Sequence, residues 1–84
     1  MAERAAYVYV LRCADGSLYT GWTYDVKQRL AAHGAGRGAR YTRSRLPVKL
    51  AACWEFEDSS AAMREEIRVK ALTRSEKLAL VSAS

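Results

Sequence analysis

Histidine occurs once, proline once and cysteine twice in the 84 residues. A single imidazole excludes a multi-histidine metal centre. Cys13 and Cys53 stand forty positions apart with no Cys-x-x-Cys pair. That is too few for a disulfide scaffold or a zinc site, so both read as reduced thiols of a cytoplasmic protein. No apolar run approaches the roughly 18 residues a membrane span needs. Met1-Ala2-Glu3-Arg4-Ala5-Ala6 lacks the basic-then-apolar order of a secretory signal. No repeat, low-complexity tract or linker interrupts the chain, so one domain over residues 1–84 is expected. Its core must be small, burying roughly 60–65% of the unfolded surface.

Acidic residues are missing altogether between Val26 and Trp54. That stretch carries Lys27, Arg29, Arg37, Arg40, Arg43, Arg45 and Lys49, a charge of +7, while the remaining seven bases and nine acids leave −2 elsewhere. A positive field concentrated in this way attracts polyanions and is the electrostatic footprint of nucleic-acid binding. A solvated basic face, or contact with an anionic membrane, are the plainer readings of the same charge. What is present is otherwise ordinary for a globular domain: 50% hydrophobic and 27% charged residues argue against disorder.

Tyr7–Cys13 is rich in β-branched and aromatic residues and predicts a strand. Ala14-Asp15-Gly16-Ser17 supplies turn residues, and 18–23 reads as the returning strand of a hairpin. Parity separates two turns. A two-residue Asp15-Gly16 turn sets Tyr9 opposite Trp22. A three-residue loop, with Gly16 left-handed, pairs Leu11 with Tyr19 and Tyr9 with Gly21, so both tyrosines share a face. If they share a site, the three-residue form is required. Thr23 is expected to cap a helix that stops at Gly34, followed by a basic loop to Pro47. Residues 48–56 predict a third strand, Asp58 opens a helix to about Leu72, and Thr73-Arg74-Ser75-Glu76 is a capping box for a last helix. The order β-β-α-β-α-α implies a three-stranded sheet with helices packed on it, an α+β fold.

In the helix after the third strand, at about 100° per residue, Val69, Ala62, Met63, Ile67 and Ala71 outline an apolar arc, with Glu66 and Lys70 inside it and Glu65 outside. A carboxylate on the sheet-facing side needs a cation, a metal or a hydrogen-bond donor. An i,i+4 pair with Lys70 supplies the plainer answer. Arg29 and His33 stand one turn apart on the first helix. Arg29 suits a phosphate through its planar fork. His33 could relay a proton or cap the last carbonyls. Four of the five tyrosines crowd the hairpin and its exit, and a phenol can position or deprotonate water if nearby cations lower its pKa. Cys13 and Cys53 read as small buried hydrophobes. Gly34-Ala35-Gly36-Arg37-Gly38 has no strand before it and is neither a dinucleotide fingerprint nor a phosphate-binding loop.

Tyr7-Val8-Tyr9, nine residues, then Tyr19-Thr20-Gly21, then Arg29 and a later Glu66, resembles the GIY-YIG nuclease superfamily over nearly the whole chain. The resemblance is closest to its small stand-alone bacterial members, through residues 13–21, 38–42 and 66–70. It implies a three-stranded antiparallel sheet flanked by helices, and a divalent-metal-dependent endonuclease that hydrolyses DNA phosphodiesters, selective for branched or damaged structures in repair or recombination. Glu66 matches the single acidic ligand of a magnesium or manganese ion, and Arg29 the arginine at the scissile phosphate. Tyr9 and Tyr19 match the two motif tyrosines, one acting as general base or water-positioner, and His33 a histidine near the same site. Gly21 matches the glycine that lets backbone and substrate approach closely. Lys27, Arg37, Arg40, Tyr41, Arg43 and Arg45 become the nucleic-acid surface. Tyr7 replaces the first motif glycine and Thr20 the isoleucine. Trp22 replaces a smaller apolar residue and is expected to narrow the site. DNA is the partner implied, with RNA as the alternative, a further protein for targeting, no membrane, and a monomer or weak homodimer. The competing functions are a non-catalytic nucleic-acid-binding module that retains the fold, and a protein-interaction domain.

Overall fold

The computed structural model describes residues 4–83. The elements run β1 (Ala6–Arg12), β2 (Leu18–Thr23), α1 (Val26–Gly34), α2 (Arg40–Arg43), β3 (Lys49–Phe56), α3 (Ser59–Lys70) and α4 (Arg74–Ala83). The three strands form one antiparallel sheet in the order β2-β1-β3. This is the expected α+β arrangement, with the four-residue α2 added where the sequence suggested only a loop.

β1 occupies the centre, and five of its seven residues are buried, with cover on both faces. Ala6, Val8 and Ala62 form the core of one face, and Trp22, Trp54 and Phe56 pack against them. The hairpin takes the three-residue form. Cys13 N–H donates to Ser17 O at 2.9 Å, Gly16 N–H donates to Cys13 O at 2.9 Å, and Gly16 adopts φ +83°. The register is therefore Leu11↔Tyr19 and Tyr9↔Gly21, which sends both tyrosines to the face opposite Trp22.

Side-chain caps delimit the helices. Asp25, not Thr23, caps α1, accepting from Gln28 N at 3.0 Å; Thr23 is still paired with Tyr7 in the sheet. Asp58 caps α3 through Ala61 N at 2.8 Å. The Thr73 capping box closes on both sides, Thr73 N–H donating to Glu76 Oε1 at 2.8 Å and Glu76 N–H to Thr73 Oγ1 at 3.3 Å. Such caps contribute about 1 kcal/mol each.

α3 presents one edge of the expected arc to the sheet and leaves the rest of it exposed. Ala62 and Val69 are fully buried, whereas Met63 is 41% and Ile67 66% exposed. The buried side is thus turned roughly 100° from Met63. The large rings of Trp22, Trp54 and Phe56 fill the inter-layer space, so the helix approaches on an alanine, where a methionine would overpack. Glu66 flanks the observed buried side and remains partly covered, while Lys70 points to solvent. No helix among the described residues is long and apolar enough to cross a membrane.

Candidate active site

The side of the sheet facing α1 holds a buried polar chain. His33, one per cent exposed, is the only buried residue of α1. Its Nε2 lies 3.0 Å from the Tyr9 hydroxyl, and its Nδ1 lies 2.7 Å from Thr42 Oγ1. The Thr42 hydroxyl donates to Ala39 O at 3.0 Å. A hydroxyl has one proton, so Thr42 accepts from His33 Nδ1–H. Nε2 is then the acceptor for the Tyr9 proton. Burial first, and the nearby Arg29 charge second, hold the imidazole below its ordinary pKa, so it is neutral at pH 7 and can take up a proton.

Two glycines make room for this chain. A Cβ on Gly21 would sit 2.5 Å from the Tyr9 hydroxyl, so the missing side chain lets the phenol cross over β2. The sequence suggested space for substrate at Gly21; the space is taken by Tyr9. A Cβ on Gly38 would collide with the His33 ring. Tyr19 closes the cluster, its ring centroid 6.5 Å from Tyr9 and 5.4 Å from His33. Tyr41 stacks on Tyr19 at 6.0 Å.

Arg29, Arg37, Tyr19 and His33 line a cavity of about 400 Å³, with Gln28, Ala32, Gly38 and Ala39 completing it. The Tyr9 hydroxyl senses both charged groups picked out by the sequence. Its pKa is pushed up to about 12, by burial first and then by Tyr19; Arg29 pulls it down and Glu66 pushes it up. Arg29 from α1 and Glu66 from α3 therefore both act on one phenol. The net effect runs against a phenolate held ready by nearby cations. The Tyr9 hydroxyl keeps its proton over the ordinary pH range and points it at His33 Nε2.

Glu66 also makes the i,i+4 contact, Lys70 Nζ lying 3.4 Å from Oε2, with the lysine half exposed. Among the described residues no three His, Cys, Asp or Glu cluster as a metal cage. One hard carboxylate still fits a magnesium-type ion, which keeps several waters and takes its remaining oxygens from a phosphate.

The basic segment is ordered by its own contacts. Arg45 lies 3.0 Å from Asp15 Oδ2, donates to Tyr41 O at 2.9 Å and covers the Tyr41 ring at 3.9 Å. Its guanidinium is committed to pinning this segment to the hairpin turn, unlike Lys27, Arg37, Arg40 and Arg43, which are exposed and without an ion pair among the described residues. Trp22 stands apart from the tyrosine cluster, packing on the other face and meeting Tyr24 edge-on, and both line a separate hollow beside Arg29. Cys13 is buried as expected, but Cys53 is exposed. Sequence reasoning missed Thr42 and Gly38. The only signal for either was their place in the run 38–42.

The family model described as the GIY-YIG catalytic domain matches residues 5–79, and the chain belongs to that family. Among its relatives, UPF0213 protein SAG0778 of Streptococcus agalactiae is 52% identical over 81 residues, covering 96% of this chain and 92% of that one. UPF0213 protein VNG_2274C of Halobacterium salinarum is 53% identical over 74 residues, 88% and 96% of the two chains. The solution NMR structure of UPF0213 protein BH0048 from Bacillus halodurans superposes with a TM-score of 0.63 at 50% identity, over 95% of this chain and 85% of that one. The protein EF2693 from E. faecalis gives 0.61 at 37% identity, over 98% and 90%.

Proposed function

We propose that the chain is a divalent-metal-dependent endonuclease that hydrolyses DNA phosphodiester bonds, acting as one domain in the cytoplasm. The observation that carries this reading is the hydrogen-bonded series Tyr9–His33–Thr42 beside a cavity lined by Tyr19 and Arg29, with the Glu66 charge acting on the same phenol. Hydrolysis needs a water held in line with the breaking bond, a group to take its proton, and positive charge where the phosphate oxygens gain density. Water attacks phosphorus and passes its proton to the Tyr9 oxygen as the Tyr9 proton moves to His33 Nε2. The leaving oxygen is protonated from solvent. Arg29 holds the phosphate and supplies fixed charge that, by the measure of oxyanion donors, amounts to roughly 3–4 kcal/mol in the transition state. Glu66 would hold a magnesium or manganese ion, whose charge and Lewis acidity act on the phosphate when it is bound. Lys27, Arg37, Arg40 and Arg43 steer and grip the backbone.

The Glu66–Lys70 pair is the observation that favours a second reading, a nucleic-acid-binding module without turnover. Plasmid relaxation with and without magnesium, beside a gel shift in EDTA, separates the two. Glu66→Ala is expected to abolish magnesium-dependent nicking and to leave the gel shift intact. Nicking at the native rate by that variant refutes the assignment, and binding without cutting by the native chain supports the second reading.

A further inference from the structure

Beyond the tyrosine cluster, the first turn of α4 lies beside the β1–β2 turn. Arg74 Nη2 comes within 4.0 Å of where a Gly16 Cβ would be. Arg74 and Lys77, together with Ser17, Leu18, Tyr41 and Leu72, line a cleft of about 290 Å³. Tyr41 belongs to this cleft and Tyr19 to the cavity of the candidate active site, and the two rings stack at 6.0 Å. The two hollows thus share a wall one ring pair thick.

The charge of the cleft is uncompensated. Among the described residues neither Arg74 nor Lys77 has an ion pair. The nearest acids in the chain are engaged, Glu76 by the Thr73 cap and Asp15 by Ser17 and Arg45. Lys70, paired with Glu66, is a third cation nearby, 5.9 Å from the Tyr19 ring centre. Burial first, and this neighbour second, hold Lys77 below its ordinary pKa, so the free protein bears an electrostatic cost that an anion would remove. Leu18 and Leu72 are half-buried and give the hollow an apolar part.

We propose that this cleft is a second nucleic-acid subsite, in which Arg74 and Lys77 hold the phosphate of an unpaired nucleotide flanking the one that is cut, with its base or sugar against Leu18 and Leu72. The occupant follows from size and polarity. Two cations with no carboxylate select a phosphate. A hollow of this volume takes one nucleoside, and a base still paired and stacked in a duplex cannot enter it. The inference rests on the nuclease reading and adds to it a contact on α4, which lies outside the acid-free stretch.

The test is fluorescence anisotropy in EDTA, with a labelled duplex carrying a single-stranded flap and a blunt duplex of the same sequence. Arg74→Gln and Lys77→Gln are compared with Arg64→Gln, which removes the same charge from an exposed position on α3. Thermal melts establish that each variant is folded; Arg74 is exposed, so at least one of the pair tests contact free of packing effects. The cleft variants should bind the flap about tenfold more weakly, with the salt slope reduced by about one, and the blunt duplex less than about threefold more weakly. Unchanged flap affinity, equal loss on both DNAs, or the same loss in Arg64→Gln overturns the subsite while leaving the nuclease reading intact. Failure of the native chain to bind or nick any DNA ends both.

Discussion

Thr42→Val tests the proton path most directly, because the Thr42 side chain is buried, does not itself line the cavity and meets the catalytic series only at His33. Thr42 and His33 are both buried, and the Oγ1–Nδ1 contact is 2.7 Å. Valine preserves the shape and removes both the acceptor for His33 and the donor to Ala39 O. If the ring keeps its proton on Nδ1, a buried N–H is left unpaired, at a cost of about 1–3 kcal/mol. For a domain of this size each kcal/mol lowers Tm by roughly 4–8 °C, so a fall of about 5–20 °C is expected. If the ring moves its proton to Nε2, the Tm is partly restored, but Nε2 can no longer accept from Tyr9. Either way the nicking rate should fall about 10- to 100-fold, as for the loss of an outer partner that orients a ligand histidine. DNA affinity in EDTA should not change. Thr42→Ser retains Oγ1 and should recover most of the rate. The assay is single-turnover nicking at several pH values beside a melt, with ¹⁵N chemical shifts of the imidazole reporting which nitrogen carries the proton. Nicking at the native rate by Thr42→Val, in a protein whose melt has fallen as expected, would refute the series as a proton path. Serine performing no better than valine would assign Thr42 to packing alone.

His33 carries a depressed pKa in the folded protein, so its contribution to stability is complete above the ordinary value of about 6.5 and is lost as pH falls towards the folded value; chemical denaturation between pH 7 and 5 should show this decline, and His33→Gln should flatten it. Tyr9 behaves oppositely. Its pKa, raised to about 12, makes stability complete below about 10 and lost between 10 and 12, an effect of about 3 kcal/mol that Tyr9→Phe should remove in alkaline melts. Ala62→Leu should destabilise by about 1–3 kcal/mol through overpacking against the tryptophans, whereas Ile67→Ser, at an exposed position, should stay within about 0.5 kcal/mol; equal effects at the two positions would place the buried face of α3 elsewhere.

Local chemistry was legible in the residues themselves. Parity reduced the hairpin to two turn forms, and the three-residue loop expected if Tyr9 and Tyr19 share a site, with Gly16 left-handed, is the one that forms. Thr73 and Glu76 spelled a cap that forms as written, because both partners lie within one turn. The basic stretch and the isolated Arg29 and Glu66 were visible for the same reason: charge and spacing are properties of the chain before it folds. What lay beyond reach depended on partners distant in sequence. Whether Met63 or Ala62 faced inward was decided by the bulk of Trp22 and Trp54 across the layer. Thr42 gained its role by meeting His33 nine residues back, through a single turn of helix too short to leave a periodic signal, and Gly38 gained its role by lying under the same ring. Periodicity and capping act over one or two turns, whereas side-chain burial and hydrogen-bond partnership are settled when separate elements pack. The sequence by itself therefore determined the strands, the caps of the last two helices and the charge, and only the tertiary structure decided which edge of the α3 arc was buried, which residue capped α1 and which hydroxyl held the histidine.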